Sequence, residues 1–445
     1  MICKGSISST DVLCFGSRIV FRKCDEGWLA ISVDTANWIV LFSDFQRLLL
    51  ERLISGKSVG EMKDLLDSES KILELKRLLA SIFARDFAEV GSVPVPVRLE
   101  SSRMLNCYLT NACNLRCKHC FMRSGNKLTG ELTTAQWQTV LSDFRSAGGE
   151  SVTFTGGEPL MNKGFEEIVR FTHSLGLKVT VLTNGLLWTD RMIQNLSPYI
   201  SEVQISIDGV DEESNAAIRG KGHFDRVVKT VIAFANYGCR TSVATTFTFD
   251  NISDGTKDLY KRMVDEIKSR CSNPVFFKLS KKILSGRETE YSESENRLFF
   301  EKISEIEKYV DPNAQFANFM EGHTPNLVAD NCGFGGLSIG ADGETYFCNR
   351  ISEVQSYGNV KTVSIEDLMK IGHQIHCDAG VDNVAPCKDC HLRYICGGGC
   401  RIDDFNFNGK LKGFEANLAQ TACSEDSKLR LERKMIDSFI YKYNF

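Results

Sequence analysis

Three cysteines stand close together in the stretch Cys113-Asn-Leu-Arg-Cys117-Lys-His-Cys120. Three neighbouring thiolates suit an iron–sulfur cluster that is held at three irons and leaves the fourth iron open for a ligand. Zinc is the alternative, because a structural zinc site needs four protein ligands and His119 is formally available as the fourth. The stretch therefore predicts a metal centre, and a catalytic one if the metal is the cluster.

Strand and helix patterns alternate on the carboxyl side of this stretch. Their order predicts an α/β fold, with a parallel sheet and outer helices curved into a partial (β/α)6 TIM-like barrel. The predicted strands are 105–110, 151–155, 178–182, 203–207, 241–249 and 275–279. The predicted helices include 134–146, 165–174, 224–237 and 257–269.

Four unusual loops follow the first four predicted strands. In barrels of this kind the chemistry gathers on the loops after the strand carboxyl ends. We therefore expect all four loops to lie on one rim. They are the cysteine stretch 113–120, Gly156-Gly-Glu-Pro159, Asn184-Gly185 and Asp208-Gly209.

The 17 cysteines are the anomaly of the composition. The sequence lacks an export signal and its apolar runs are too short to span a bilayer, so we expect a cytoplasmic protein with no membrane partner. A reducing cytosol keeps thiols free, which favours metal binding over disulfides. The net charge of −4 argues against a nucleic-acid partner. Seven scattered cysteines are expected to be small buried side chains: Cys3, Cys14, Cys24, Cys107, Cys239, Cys271 and Cys377.

The chain divides into four predicted units. The first shows three strand patterns and then three helical patterns, the order of a winged-helix-like module, and the two prolines of 91–98 indicate a linker after it. The strands are 12–21, 28–33 and 38–42, and the helices 43–55, 59–66 and 69–83. The units are 1–93 (winged-helix-like module), 99–280 (barrel), 281–331 (helical bridge) and 332–445 (a Cys-rich domain ending in an amphipathic helix near 429–441).

The cysteine stretch and the glycine loop together resemble the radical S-adenosylmethionine (SAM) superfamily, whose cluster motif is CxxxCxφC. The resemblance implies a [4Fe-4S] cluster on Cys113, Cys117 and Cys120, with His119 at φ against the adenine of SAM. It also implies further SAM contacts, of which Asn184 is as readily a simple turn former. These contacts are Gly156, Gly157 and Glu158 to the methionine amino group, and Ser206, Asp208 and Arg219 to the ribose and carboxylate.

A second cysteine constellation reads Cys332-x10-Gly343-x4-Cys348 and Cys387-x2-Cys390-x5-Cys396-x3-Cys400, followed by Cys423. It resembles the SPASM extension of one branch of radical SAM enzymes, although CxxC pairs also occur in structural zinc sites. The resemblance implies two auxiliary [4Fe-4S] clusters. We name their ligands the first auxiliary set (Cys332, Cys348 and Cys400) and the second auxiliary set (Cys387, Cys390, Cys396 and Cys423).

The first auxiliary set has three obvious ligands. Asp330 and Asn331 stand where some relatives have a fourth cysteine. The fourth iron is therefore open, or is bound by a non-cysteine ligand such as Asp330, or by a distant thiol such as Cys377.

The amino-terminal module resembles the recognition element of enzymes that modify ribosomally synthesised peptides (RiPPs). The resemblance implies that a precursor's leader peptide adds a strand to the exposed edge of the module's sheet. A structural cap, or a module that no longer binds a leader, is the alternative. DNA binding is disfavoured because no basic stripe stands out there.

These resemblances together imply a radical SAM/SPASM peptide-modifying oxidoreductase, supplied with electrons by a donor such as flavodoxin or ferredoxin. A 5'-deoxyadenosyl radical would abstract hydrogen from the precursor peptide, and two auxiliary clusters favour a net oxidation that forms a carbon–carbon or thioether cross-link. Asp208 and His223 are candidates to face the substrate.

Three alternatives remain. One is side-chain oxidation like that of sulfatase-maturing enzymes, which would need no leader-binding module. Another is peptide epimerisation, with Cys239 or Cys271 as a hydrogen donor. Outside enzymes, the chain would be a zinc-stabilised peptide-binding scaffold.

Overall fold

The computed structural model describes residues 7–98, 103–405 and 423–443, and Cys3 lies outside them. The strands are β1 (Leu13–Phe15), β2 (Ile19–Cys24), β3 (Gly27–Ser32), β4 (Asn37–Leu41), β5 (Ala88–Val90), β6 (Val97–Arg98), β7 (Met104–Tyr108), β8 (Ser151–Thr155), β9 (Lys178–Thr183), β10 (Glu202–Ser206), β11 (Arg240–Thr245), β12 (Val275–Leu279), β13 (Leu327–Val328), β14 (Leu337–Ile339), β15 (Glu344–Tyr346) and β16 (Gly358–Asn359).

The helices of the same residues flank these strands. They are α1 (Asp44–Ile54), α2 (Glu69–Ala84), α3 (Thr134–Ser146), α4 (Phe165–Ser174), α5 (Asp190–Leu196), α6 (Glu212–Arg219), α7 (Phe224–Asn236), α8 (Thr256–Ser269), α9 (Glu293–Val310), α10 (Ala314–Gly322), α11 (Ile365–Asp378), α12 (Arg393–Cys396) and α13 (Glu425–Tyr443).

A nine-stranded sheet organises the middle of the chain, in the order β12-β11-β10-β9-β8-β7-β14-β15-β16. The six strands β7 to β12 are parallel neighbours in chain order, and helices connect them, which confirms the predicted α/β repeat. The Cys-rich region adds β14 in parallel to β7, and β15 and β16 continue antiparallel. The sequence did not predict this extension of the sheet.

The two faces of this sheet differ in chemistry. Alternate residues of each strand bury apolar side chains under the helices, as Leu105, Val152 and Val179 do in one register row. The next row across six strands is polar throughout, and we call this side of the sheet the polar face. The row is Tyr346, Ser338, Asn106, Thr153, Thr180 and Glu202. A barrel interior is normally filled with branched apolar residues, so this face is suited to polar ligands.

The amino-terminal unit contains a three-stranded antiparallel sheet in the order β2-β3-β4. Helices α1 and α2 follow it, with a 3-10 helix at Val59–Leu65 between them where the sequence predicted an ordinary helix. Every residue of the edge strand β4 is buried, whereas β2, the other edge strand, is half exposed over most of its length.

Three predicted boundaries in this part of the chain and the barrel were wrong. The predicted strand 12–21 is two strands that belong to different sheets, because the chain turns at Gly16, where a Cβ would lie 2.4 Å from Ser32 Oγ. The predicted strand 241–249 ends at Thr245, because the next amide donates to the Asp208 carboxylate. The end of the predicted linker is strand β6, paired with β13.

Packing joins the predicted units. The core of the amino-terminal sheet continues into the carboxyl-terminal region, where α13 packs on β4 and the Trp38 indole donates to the Met435 carbonyl at 3.1 Å. A second core contains the outer face of the large sheet together with α9 and α11. The limits of the four units therefore remain predictions, and the apolar packing crosses all three boundaries between them.

None of the helices among the described residues has the length and apolar character needed to cross a membrane.

Candidate functional site

The loop after β7 carries the three cysteines of the first motif, and we call residues 113–128 the cluster loop. Burial, aided by the nearby Glu158, Cys117 and Cys120, raises the pKa of the Cys113 thiol to about 11. Thiols must lose their protons to bind iron, so the metal itself would have to supply the compensating charge.

The glycine loop after β8 packs directly on the cluster loop. The Gly157 amide donates to the Thr110 carbonyl at 2.8 Å, and the Glu158 amide to the Ala112 carbonyl at 2.9 Å. A Cβ at Gly156 would lie 2.4 Å from Thr110 O, and one at Gly157 would lie 2.3 Å from Ala112 O. Both positions thus exclude a side chain, and Gly156 has a positive φ of 129°.

Glu158 is fully buried beneath this contact. Its carboxylate accepts hydrogen bonds from the Thr183 hydroxyl at 2.7 Å and the Asn184 amide at 2.8 Å. Burial nevertheless raises the pKa of Glu158 to about 7. The side chain therefore ties the loops after β8 and β9 together and is near the midpoint of its titration at neutral pH.

Asn184 forms the turn that the sequence allowed. Its side-chain oxygen accepts from the Leu186 amide at 3.0 Å, and its side-chain amide donates to Asn114 Oδ1 in the cluster loop at 2.8 Å. Asn184 therefore positions the cluster loop as well as making the turn.

Asp208 is buried after the end of β10 and contacts residues from three other segments. Its Oδ1 accepts from the Thr246 amide, and its Oδ2 lies 2.6 Å from Arg219 Nε and 3.2 Å from His119 Nε2. The Lys118 amide also donates to the Ile218 carbonyl, which fixes the cluster loop against α6. All four predicted loops are thus in contact at the carboxyl end of the sheet, as expected from the strand order. Ser206 is the last residue of β10, half-buried at the same edge.

The Asp208 contacts bear on a sequence hypothesis. Both carboxylate oxygens have partners inside the fold, and a substrate-facing role for Asp208 stays a prediction. His223 lies immediately before α7, and its backbone amide donates to Glu212.

The proposed hydrogen donors Cys239 and Cys271 were misplaced. Cys239 directly precedes β11 and Cys271 lies between α8 and β12, so both are at the amino-terminal ends of strands, away from the loops above. Cys239 is buried in the apolar core, and burial raises the pKa of its thiol to about 12.

Several buried polar atoms at the candidate sites lack a hydrogen-bond partner among the described residues. Two of them, His119 Nδ1 and Ser124 Oγ, belong to the cluster loop. Another is Arg401 Nη2, and the sequence did not single out this arginine. A buried polar group without a hydrogen bond costs free energy, so each atom fits a ligand that would accept or donate there.

The second auxiliary set converges on one cavity. All four of its thiols line a space of about 200 Å³ next to α12 and the start of α13. Gly397, Gly398 and Gly399 all have positive φ values, which lets the chain turn sharply between Cys396 and Cys400. Within the described residues no three His, Cys, Asp or Glu side chains are placed to hold a single metal ion.

The first auxiliary set lies beside the added strands β14 and β15. Burial raises the pKa of the Cys348 thiol to about 11, and the nearby Cys332 and Cys400 add to this rise. Arg350, which the sequence did not indicate, donates from Nη1 to Cys400 Sγ at 3.5 Å, and its amide lies 3.5 Å from Cys348 Sγ.

Arg401 lies between the two auxiliary sets. Its side chain is fully buried and donates to the carbonyls of Ala379, Gly397 and Gly399. Burial lowers the pKa of Arg401, and thiols of both sets oppose that effect, namely Cys332, Cys387, Cys396 and Cys400.

The two candidate fourth ligands of the first auxiliary set have other surroundings. Asp330 Oδ1 contacts His376 Nε2 at 3.2 Å, and its Oδ2 contacts Arg98 at 3.3 Å. Cys377 is exposed, so the prediction that it is a buried side chain was wrong, and its ionisable neighbours include His373, Asp330, Asp378 and Arg98.

Comparison with known proteins identifies the middle of the chain. Residues 107–263 match the model of the radical SAM superfamily. They form a radical SAM domain. This match covers the cluster loop and the strands from β8 to β11.

Two curated relatives extend the comparison. The sporulation killing factor maturation protein SkfB of Bacillus subtilis is 34% identical over 197 residues, which are 43% of this chain and 46% of SkfB. The chain thus matches about half of SkfB's length. An AdoMet-dependent heme synthase of Nitratidesulfovibrio vulgaris is 26% identical over 326 residues, 68% of this chain and 88% of that protein.

The fold is similar to that of SuiB from Streptococcus suis. The S-adenosylmethionine-bound structure has a TM-score of 0.52 at 16% identity and covers 92% of this chain and 100% of SuiB. The complex of SuiB with its precursor peptide SuiA has a TM-score of 0.50 at 16% identity, covering 92% and 99% of the two chains. At this identity the likeness concerns the fold.

The raised pKa of Glu158 predicts a pH-dependent stability. A carboxyl whose pKa rises from 4.5 to about 7 on folding contributes stability below pH 4.5 that is lost as pH rises through 7. Glu158→Gln removes the titrating group and with it this loss of stability. The unfolding free energy of the variant, taken relative to that of wild type, should therefore increase by up to roughly 3 kcal/mol as the pH rises from about 5 to about 8. Chemical denaturation of the metal-free chain at several pH values measures this.

The exposed residue Glu166 supplies the control. Glu166→Gln should leave the pH profile of stability unchanged. Parallel profiles for wild type and Glu158→Gln would show that Glu158 does not titrate in this range.

Proposed function

We propose that this protein modifies a ribosomally synthesised precursor peptide by radical SAM chemistry, joining two of its side chains through a carbon–carbon or thioether bond. The observation that carries the proposal is the grouping of the ten motif cysteines, with one set on the rim loop and two sets in the Cys-rich region. The maturation protein SkfB among the relatives supports a peptide substrate.

Cys113, Cys117 and Cys120 would hold the SAM-binding [4Fe-4S] cluster. When bound, the cluster and SAM supply a 5'-deoxyadenosyl radical, which abstracts a hydrogen atom from the substrate. His119, with its unpaired Nδ1, fits the adenine, and Arg219 at Asp208 fits the SAM carboxylate. The remaining proposed SAM contacts are Gly156, Gly157, Glu158, Asn184, Ser206 and Asp208.

Residues of this chain would position the cluster loop, the His119 ring and the peptide substrate. The Asp208 carboxylate orients the His119 ring, and Asn184 and the glycine loop fix the cluster loop over the carboxyl end of the sheet. The half-exposed side chains of the polar face, including Asn106 and Thr153, offer hydrogen bonds to a peptide backbone. Positioning one C–H bond is the protein's main contribution to such a reaction.

A cross-link removes two hydrogens from the peptide. One leaves as an atom, and the other leaves as a proton while its electron passes to an acceptor in the protein. The two auxiliary sets, as a SPASM domain with two [4Fe-4S] clusters, are the proposed acceptors. A flavodoxin or ferredoxin would supply the electron that starts each turnover.

The fourth position of the first auxiliary set is proposed to be open. Asp330 already pairs with His376 and Arg98, and Cys377 is exposed beside them. An open iron would accept a substrate thiolate, which would favour thioether formation.

The leader peptide is proposed to bind at β2. The winged-helix-like unit has two edge strands, and the side chains and backbone of β4 are buried. An added strand therefore has access to the edge at β2.

The first test is the accurate mass of the short peptide encoded beside this gene, after anaerobic incubation with the reconstituted enzyme, SAM and dithionite. We expect the loss of two hydrogens together with 5'-deoxyadenosine, and missing fragment ions between the joined residues. Cys113→Ala should abolish both products. Cys348→Ala should retain 5'-deoxyadenosine and lose the cross-link.

Other outcomes of this test identify the alternatives. An intact fragment series with two hydrogens lost at one residue indicates side-chain oxidation, and an unchanged mass with one deuterium from heavy water indicates epimerisation. 5'-Deoxyadenosine without any peptide change would contradict the proposal and favour heme synthesis, the second candidate, which the long alignment with the heme synthase supports.

Leader binding predicts a change in hydrogen exchange at one strand. Adding the synthetic leader peptide should slow amide exchange in residues 19–24 (β2) and leave residues 37–41 (β4) unchanged, because an added strand bonds the open edge. A scrambled leader of the same composition is the control. Protection that is absent from β2, or equal for the scrambled peptide, would refute this binding mode.

The position of Arg401 predicts that replacing this arginine shifts the midpoint potentials of both auxiliary clusters. Arg401→Met keeps an unbranched side chain but removes the charge and the donors, so reduction of both auxiliary clusters should become harder and both midpoint potentials should move in the negative direction. Arg401→Lys should give a smaller shift. Redox titration followed by electron paramagnetic resonance measures this, and unchanged potentials in Arg401→Met would contradict the placement of Arg401 between the clusters.

A further inference from the structure

A small cavity lies between the cluster loop and the strand that leads to Cys348. Its volume is about 160 Å³, which is the size of one side chain. One wall is formed by Met122 and Leu128 of the cluster loop. Asp342 and Tyr346 also line it, and Tyr346 lies two residues before Cys348. The cavity is therefore lined both by the loop that carries the predicted radical source and by the strand that leads to the first auxiliary set.

Strand register places the cavity on the polar face. Tyr108 follows Asn106 by two residues on β7, so both point to the same side of the sheet. Ser338 pairs with Asn106 on one side and with Tyr346 on the other, which puts Tyr346 on that side as well. The Tyr108 hydroxyl donates to the Asn349 carbonyl, so the floor of the cavity is joined to the residue after Cys348.

Asp342 gives this cavity its charge. Its Oδ1 accepts from the Glu344 amide at 3.2 Å, and no lysine or arginine of the described residues forms an ion pair with it. Neighbouring Glu344 already accepts from Ser356 and Asn359. Asp342 and Tyr346 line the same cavity, so the carboxylate lies beside a phenol ring.

We propose that this cavity binds a cationic side chain of the substrate peptide, a lysine or an arginine, next to the residue that is modified. The Asp342 carboxylate pairs with the cation, and the rings of Tyr108 and Tyr346 surround its aliphatic stem. A carboxylate beside aromatic rings is the combination that recognises an ammonium or guanidinium group. The inference rests on the proposed function only in taking the occupant to be a peptide.

The test uses two synthetic tripeptides that differ in one charge. Acetyl-Gly-Lys-Gly-amide and its norleucine analogue are titrated into the reconstituted full-length enzyme with SAM, and dissociation constants are measured by ligand-observed NMR. Wild type should bind the lysine peptide at least about fivefold more tightly than the norleucine peptide. Equal affinities would overturn the proposal.

Three variants test whether the preference for the lysine peptide arises from Asp342 in this cavity. Asp342→Asn keeps the acceptor for the Glu344 amide and should reduce the lysine preference to about one. Ser352→Trp, at an exposed residue on the cavity rim, should weaken both peptides. Asp25→Asn, an exposed carboxylate in the amino-terminal sheet, is the matched control and should bind like wild type.

Two results would place the cation elsewhere and overturn the inference. They are a lysine preference that persists in Asp342→Asn, and unchanged binding in Ser352→Trp. Because binding of the tripeptides needs no turnover, these measurements stand apart from the mass test of the proposed function. A precursor peptide of unchanged mass would count against the cross-linking reaction while a lysine preference centred on Asp342 would still support the site.

Discussion

The contact between the glycine loop and the start of the cluster loop is the constraint on which the candidate site depends. The carbonyls of Thr110 and Ala112 accept the Gly157 and Glu158 amides, and a Cβ at Gly156 or Gly157 would collide with the same carbonyls. This close approach fixes where the chain enters the three-cysteine motif. It also buries Glu158, whose carboxylate then reaches Thr183 and Asn184 at the end of the next strand. One steric requirement thereby aligns three loops, and it explains why two successive glycines precede an acidic residue.

Asp208 plays the corresponding part on the other side of the cluster loop. Its two oxygens connect the start of the segment after β11, the end of α6 and the His119 ring. The residue sits at 1% exposure, where an unpaired carboxylate would be costly, and Arg219 offsets that cost. Removing either partner would leave a buried charge, so Asp208 and Arg219 act on the geometry of His119 as well as on any ligand.

The sequence predicted the fold and the site residues where a motif has a characteristic spacing. It did not predict contacts that depend on tertiary packing. The parallel repeat and the shared rim followed from alternating patterns, since the carboxyl ends of parallel strands meet at one edge. Asn184 could be read as a turn former from its Asn-Gly pair, but its bond to Asn114 depends on tertiary contact. Arg350 and Arg401 were missed because a single arginine carries no pattern in sequence. Cys239 and Cys271 precede the predicted strands 241–249 and 275–279, so the sequence pattern itself already argued against a place for them on the catalytic rim.

The same limit applies to the amino-terminal unit, whose pattern resembles a separate module although its core is shared. Trp38 reaches α13, and Arg22 on β2 pairs with Glu432 of α13 at 3.0 Å. The same Glu432 oxygen lies 2.7 Å from His391, the residue after Cys390 of the second auxiliary set. The proposed leader edge is therefore connected through Glu432 to the residue next to a cluster ligand. Deleting residues 1–90 would expose the apolar core at β4 and α13, and it would also leave Glu432 without Arg22. A loss of activity in such a truncation would follow from unfolding near the second auxiliary set as directly as from loss of the leader, which is why exchange at β2 in the intact chain is the discriminating measurement.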